Sequence, residues 1–417
     1  MRLSKTFVKT TKQAPADEVS KNAQLLIRAG FIYKEMAWVY AFLPFGWRVF
    51  NKIAKIIREE MDKIGGEEIH LTALQDPEVW KTTDRWSDQV VDVWFKTKLQ
   101  SGKDLGLSFT HEEPLTRMMK KFVQSYKDLP AYPYQIQLKF RNEIRAKSGI
   151  MRAREFYMKD LYSFSKDKTQ HDEFYEKIKQ AYFNIFDRVG IGHLTYLTFA
   201  SGWSFSKYSH EFQTLTEAGE DIIRIDEEKW IAINEEVLVD EVLQDLWIQK
   251  ESLVPRKAVE VGNIFTLWDK FSRALGLTYK DKDGVDKYVF MGSYGIGLGR
   301  LMWTVAEVLS DDKWLVWPRA IAPYEFVIIP IGENASQRAL EVYTALKKVF
   351  GNEIVLDDRA VSPGFKFKDA DLIGYPYQIV ISDKTLQQGP EVIEFITRAT
   401  GQKQFLDIEH IQQIVSN

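Results

Sequence analysis

"FRNEIRAKSGIMRAREF", residues 140–156, gathers Arg141, Arg145, Lys147, Arg152 and Arg154 around two acids, Glu143 and Glu155, in a chain whose formal net charge is −3. The pattern predicts two strands joined by a basic, glycine-containing loop at residues 145–149. Arg141 and Glu143, two residues apart, then share one face of the first strand. Arginine grips phosphate or carboxylate through paired N–H groups, and an acid beside it accepts from an amino group such as that of adenine. A surface hairpin with solvated charges accounts for the same periodicity.

Downstream, "FYMKDLYSFS" alternates so that Phe156, Met158, Asp160, Tyr162 and Phe164 fall on one face. An aromatic stripe on a strand is ordinarily plain core, yet the acid within this one requires a partner if it is buried. Helices are expected over residues 46–65, from Val49, Ile53, Ile56, Ile57 and Met61, and over 170–189, from Phe174, Ile178, Tyr182, Ile185 and Phe186. "MGSYGIGLGR", residues 291–300, reads as a strand passing into a helix that Arg300 opens. Its glycine order does not match a dinucleotide-binding turn, although small residues let a ligand approach the backbone; a tight strand-to-helix junction explains it equally. "FTHEEP", residues 109–114, sets Thr110 and Glu112 at strand-like spacing, suited to an ammonium or imino group. A helix start capped by Thr110 is the alternative. The acidic run after Gly219 predicts one strand and one helix, and from "WPRAIAPYEFVIIPIG", residues 317–332, alternating strands and helices predict a small α/β domain.

With 417 residues, 45% of them hydrophobic, the chain has material for two or three compact domains. It contains no cysteine, which excludes disulfides, thiolate zinc sites and cysteine nucleophiles and fits a reducing compartment. The six histidines, His70, His111, His171, His193, His210 and His410, show no metal-ligand spacing, so no zinc is expected. A pI near 6.2 argues against a general nucleic-acid coat and leaves room for local basic patches. No apolar stretch has the length of a signal core or a membrane span, so a cytoplasmic protein without membrane contact is expected.

In order along the chain, "YQIQLKFRNEIRAKSGIMRAREFYMKDLYSFS", "MGSYGIGLGRLMW" and "VLDDRAVSPGFKFKDADLIGYP" resemble motif 2, motif 3 and the anticodon-binding segment of the bacterial-type prolyl-tRNA synthetases, a class II family. The resemblance implies an α+β catalytic domain over residues 1–317, an antiparallel sheet flanked by helices, and an α/β anticodon-binding domain over 318–417. Motif 1 would lie at about 46–86, motif 2 at 134–165 and motif 3 at 289–310. The implied activity is ligation of proline to its tRNA at the expense of ATP, by a homodimer. Arg141 would hold the α-phosphate, Glu143 the adenine amino group and Arg152 the γ-phosphate, with Phe156 and Arg300 on the two faces of the adenine; Arg141 and Arg300 would be the catalytic pair. Glu260, with Asn263 nearby, would hold magnesium through ATP. Thr110 and Glu112 would meet the imino group, while Met158, Asp160, Tyr162, His210 and Ser293 would enclose the proline ring. Arg359, Lys366, Lys368 and Asp369 would contact the anticodon.

Three features depart from the family pattern. A short connection at 237–259 stands where longer bacterial relatives carry an editing domain, so no hydrolysis of alanyl-tRNA in cis is expected. Thr72 replaces the proline usual at the dimer interface, and Trp268 a usual glycine. Threonyl enzymes would need a zinc held partly by cysteine, and seryl enzymes lack this C-terminal domain. A catalytically silent synthetase-like tRNA-binding or regulatory protein would have lost the ATP arginines, which are all present.

Overall fold

The computed structural model describes residues 1–16, 18, 20–143, 149–202, 208–227, 229–245, 247–311, 313–389 and 391–416. Arg145 and Lys147 of the basic loop lie outside the described residues. The chain packs into two compact units: Met36–Val39 with Ile53–Thr304, and Met1–Glu35 and Tyr40–Lys52 with Val305–Asn417. This grouping does not coincide with the expected division at 317/318, because residues from the start of the chain pack with the C-terminal ones.

The larger unit is built on a nine-stranded sheet. Its strands are β1 (Glu67–Glu68), β2 (Pro133–Phe140), β3 (Glu155–Ser165), β4 (Thr195–Ser201), β5 (Tyr208–Leu215), β6 (Asp221–Asp226), β7 (Ile231–Asn234), β8 (Val254–Trp268) and β9 (Phe290–Gly297). They lie in the order β5-β4-β7-β6-β8-β9-β3-β2-β1, and β5 also pairs with β8. Strands β4 to β8 therefore form a closed circuit of pairings, around Tyr196, Ile223, Ile225, Ala232 and Ala258. All pairings are antiparallel except β4 with β7 and β1 with β2. The acidic run thus holds two strands, β6 and β7, besides the helix α3 introduced below; the charges flank the apolar Ile223, Ile225, Ala232 and Ile233 and obscure their alternation.

Three helices matter for the site. Helix α1 (Glu112–Met119) follows directly on "FTH". Helix α2 (Lys168–Arg188) starts at an Asp167 cap that accepts from the Gln170 amide at 2.9 Å, and its Phe174, Ile178, Tyr182, Ile185 and Phe186 stripe is buried. Among its described residues, the connection at 237–259 carries the short helix α3 (Asp240–Asp245) and a 3-10 turn (Lys250–Ser252) before β8 begins.

The second unit carries a five-stranded sheet: β10 (Phe326–Ile331), β11 (Ile354–Leu356), β12 (Tyr377–Ser382), β13 (Ile393–Thr397) and β14 (Lys403–Leu406), in the order β11-β10-β12-β13-β14. The first three are parallel, and helix α4 (Glu333–Phe350) buries Ala335, Ala339, Val342 and Leu346 against them. Helix α5 (Pro363–Ile373) follows β11. Arg2 bridges to Leu356 beside β11 and pairs with Asp358 at 2.6 Å, so the start of the chain runs along this sheet. Among the described residues no helix is long and apolar enough to cross a membrane.

Candidate active site

Register decides which side chains meet. Across β9 and β3, Ser293 stands opposite Tyr162, Gly295 opposite Asp160 and Gly297 opposite Met158. Across β3 and β2, Asp160 faces Gln135 and Phe156 faces Lys139. Partners in register project to the same side, so one face carries Phe156, Met158, Asp160, Tyr162 and Ser293 over two glycines that leave room above them. The opposite face carries Lys159 and Tyr294, covered by α2, where the Lys159 ammonium donates to the Tyr294 carbonyl at 3.0 Å.

That first face floors a cavity of about 740 Å³. Thr110, Glu112, Arg141, Glu143, Arg152, Phe156, Met158, Asp160, Tyr162, Glu260, Ser293 and Arg300, twelve residues singled out in the sequence, all line it.

At one end the Thr110 hydroxyl donates to Glu112 at 2.7 Å and the Ser293 hydroxyl donates at 3.1 Å. Glu112 is the first residue of α1 after the cap position His111, so the strand-like spacing expected for Thr110 and Glu112 is in fact a helix start. Beneath it Arg85 reaches Glu113 at 2.9 Å and Glu112 at 3.4 Å, within a shell of Trp80, Phe109 and Phe271. Burial and the neighbouring Glu112 push the Glu113 carboxyl up to about 7 against the pull of Arg85.

Asp160 is 3% exposed, and its hydrogen bonds all fall on one oxygen, Oδ2, while Oδ1 makes none among the described residues. Gln135 donates to Oδ2 at 2.8 Å and the Tyr162 hydroxyl at 2.9 Å, while the Lys139 ammonium lies 3.0 Å from both carboxylate oxygens. Burial alone would raise this carboxyl, but Lys139 and the hydrogen bonds hold it below the ordinary range. Lys139 in turn contacts His111, whose imidazole is lowered to about 3 by burial and by that ammonium.

At the other end lie three arginines. Arg141 donates to the Phe109 carbonyl at 3.4 Å and stands over the Phe156 ring at 5.4 Å. Arg152 pairs with Glu220 at 2.8 Å and lies 4.0 Å from Glu143. Arg300 donates to Glu260 at 2.9 Å and to the Met151 carbonyl at 3.2 Å. Burial lowers the Arg141 guanidinium, leaving it a cation in search of a negative partner.

His210 is the exception. On β5 it shares the parity of Phe212, which packs on Tyr182 and Phe186 of α2, and its ring meets the Tyr175 hydroxyl at 2.8 Å. Strand alternation thereby turns the neighbouring Glu211 into the cavity instead. Glu211 accepts from Gln213 at 2.8 Å and Asn263 at 3.3 Å, and burial together with Glu260 pushes it up to about 9. The sequence reading missed it; the parity set by Phe212 was the available signal.

In the second unit three of the four expected anticodon residues are engaged internally. Lys366 is buried and donates to the carbonyls of Pro330 and Asp357, and Arg359 pairs with Asp357 and Asp369, each at 2.7 Å. Asp369 is buried as well, so these three hold α5 to β10 and the loop after β11, and only Lys368 is exposed.

Residues 95–309 match the family model for the class II tRNA synthetase core domain (G, H, P, S and T), and residues 325–417 match that for the anticodon-binding domain. The chain is 33% identical to the proline-tRNA ligase of Phenylobacterium zucineum over 435 residues, covering 98% of each. It is 35% identical to that of a Wolbachia strain over 421 residues, again 98% of each. The chain belongs to the proline-tRNA ligase family. Among solved folds, Giardia lamblia prolyl-tRNA synthetase in complex with prolyl-adenylate superposes with a TM-score of 0.77 at 20% identity, over 93% of this chain and 74% of that one. The Cryptosporidium parvum enzyme complexed with L-proline and AMP gives 0.75 at 17%, over 95% and 74%. Because the chain covers 98% of those two curated ligases, its short connection at 237–259 is not peculiar to it: these proline-tRNA ligases are comparably short.

Proposed function

We propose that this chain activates proline with ATP and transfers the prolyl group to tRNA. The observation that carries the reading is a single cavity with Thr110, Glu112 and Ser293 at one end and Arg141, Arg152 and Arg300 at the other. A proline whose nitrogen meets Glu112 directs its carboxylate toward Arg141. The carboxylate oxygen attacks the α-phosphorus of ATP, the bond to pyrophosphate breaks, and prolyl-adenylate forms. A terminal ribose hydroxyl of the tRNA then attacks the acyl carbon and releases AMP.

No protein nucleophile takes part. The fixed guanidinium of Arg141 stabilises the charge that gathers on the α-phosphate, and the floor holds the two reactants in line. Phe156 and Arg300 offer the two faces of a slot for a nucleobase, and Glu143 an acceptor for its amino group.

Magnesium accompanying ATP suits the acidic side of the cavity. Glu260 and Glu211 repel one another there, and among the described residues the Asn263 side-chain oxygen is buried without a hydrogen-bond partner. When bound, the ion neutralises phosphate charge. Lys368 supports anticodon contact more directly than its three engaged neighbours.

Proline-dependent exchange of pyrophosphate into ATP tests this reading, with Arg141→Ala as control. Strong exchange with proline, lost in the control, is expected. Folded protein without exchange for any amino acid would overturn it and favour a silent tRNA-binding relative.

A further inference from the structure

Five non-glycine residues among those described have a left-handed backbone: Trp38, Asp84, Trp230, Trp247 and Trp268, with φ between 52° and 64°. Aspartate visits this region readily; for a bulky side chain it is a genuine outlier. Tryptophan makes up 12 of the 417 residues, so its holding four of five such places is far from a chance draw.

Each of the four sits in a different setting that calls for glycine. Ala37 and Trp38 form the two-residue connection between the strands Ile32–Met36 and Val39–Phe42, with the positive φ at the third turn position. Trp230 closes the hairpin loop between β6 and β7. Trp247 follows α3 where the Ile248 amide donates to the Leu243 carbonyl at 3.0 Å and its own amide to Gln244 at 3.2 Å. Helix α2 ends in the same pair of bonds, with Gly190 in the corresponding place at φ 90°. Trp268 lies where the register of β8 against β9 slips by one residue.

Their side chains make only ring contacts: Trp230 stacks on Tyr196 at 4.2 Å, Arg154 stands 4.7 Å over Trp38, and Trp268 meets Phe290 edge-on at 6.2 Å. Trp230, Trp247 and Trp268 are 47%, 90% and 46% exposed, and among the described residues none of the four indole N–H groups donates a hydrogen bond. The chain's buried tryptophans behave differently. Trp80, Trp94, Trp303 and Trp317 lie in cores, and Trp94 and Trp317 donate to carbonyls at 2.8 and 3.1 Å.

We infer that positions 38, 230, 247 and 268 are glycine in the protein as its own cell makes it. The codon behind them is then UGA, one base from tryptophan's UGG and one from glycine's GGA, decoded as glycine by a tRNA with a complementary anticodon. The buried tryptophans are encoded by UGG. This inference rests on backbone geometry and is independent of the proposed reaction.

The test reads the codons of the gene and weighs the peptides of the protein purified from its source cells. Expected are UGA codons at the four positions and peptides lighter there by the indolylmethyl group, with tryptophan kept at 80, 94, 303 and 317. UGG codons, or tryptophan masses at the four positions, would overturn the inference. In parallel, the recombinant chain carrying W38G, W230G, W247G and W268G together should melt higher than the chain with tryptophans; an equal or lower midpoint would remove its physical basis.

Discussion

The Ser293 hydroxyl on β9 donates to the Glu112 carboxylate at the start of α1, 3.1 Å away across 181 residues of chain. Two segments far apart in sequence thus aim one acid at the cavity. A hydrogen bond to a charged group contributes about 1.5–3 kcal/mol. Ser293→Ala is expected to raise the KM for proline roughly 10-fold or more while the KM for ATP stays nearly level. Equal loss for both substrates in exchange kinetics would disconnect Ser293 from the amino-acid end.

Burial and the neighbouring Glu260 push Glu211 up to about 9, so it is expected to hold its proton in the free protein at neutral pH. Binding of magnesium and ATP beside it should expel that proton. Calorimetry at pH 7.5 in two buffers of different ionisation enthalpy is therefore expected to give different apparent enthalpies, and the difference should shrink in Glu211→Gln. A buffer-independent enthalpy in the unaltered protein would show that Glu211 keeps its proton.

Three imidazoles are held neutral by burial: His111 at about 3, His171 and His210 at about 4. Their folded values lie below the ordinary 6.5, so below that pH the unfolded chain binds protons that the native one refuses. Their stabilising contribution is complete above about 6.5 and is lost as pH falls toward 4. Thermal midpoints should decline over that window, and less steeply in His171→Gln with His210→Gln. A flat profile from pH 6.5 to 4 would contradict the burial of all three.

Removing one partner of the buried Lys139 and Asp160 pair strands the other. Asp160→Asn is expected to cost about 3–5 kcal/mol, read from denaturant unfolding. Lys139→Met with Asp160→Asn should recover part of that loss; a double variant no better than the single would argue against direct coupling.

A pocket that admits proline has few means of refusing alanine, because each methylene is worth only about 1–3 kcal/mol of discrimination. Measurable alanine-dependent exchange is expected, along with alanyl-tRNA that persists in the presence of the enzyme. Its deacylation by this chain alone would reveal a hydrolytic site that the short connection at 237–259 gives no reason to expect.

The site was legible wherever chemistry and strand parity coincide. Period-two spacing in "FYMKDLYSFS" gave the true face for Phe156, Met158, Asp160 and Tyr162. His210 shares the parity of Phe212 and lies off the cavity, whereas Glu211, of opposite parity, lines it; a residue type alone does not say which face of a strand it occupies. The charges of Arg359, Lys366 and Asp369 suggested an RNA surface, but their neutralisation depends on how α5 folds back beside β11, which no local pattern encodes. Packing of residues 1–35 with the C-terminal sheet rests on contacts such as Arg2 with Asp358, 356 positions apart, and is invisible to any window of sequence.

Gly295 and Gly297 shape the cavity by what they lack. A methyl group placed on Gly295 would stand 3.6 Å from the Met158 sulfur, an ordinary contact that the backbone tolerates. The architecture therefore has no stake in keeping that position empty; only an occupant does. A side chain there would take up cavity space without straining the strand, so the room beside Asp160 is set by a residue on which the fold itself does not depend.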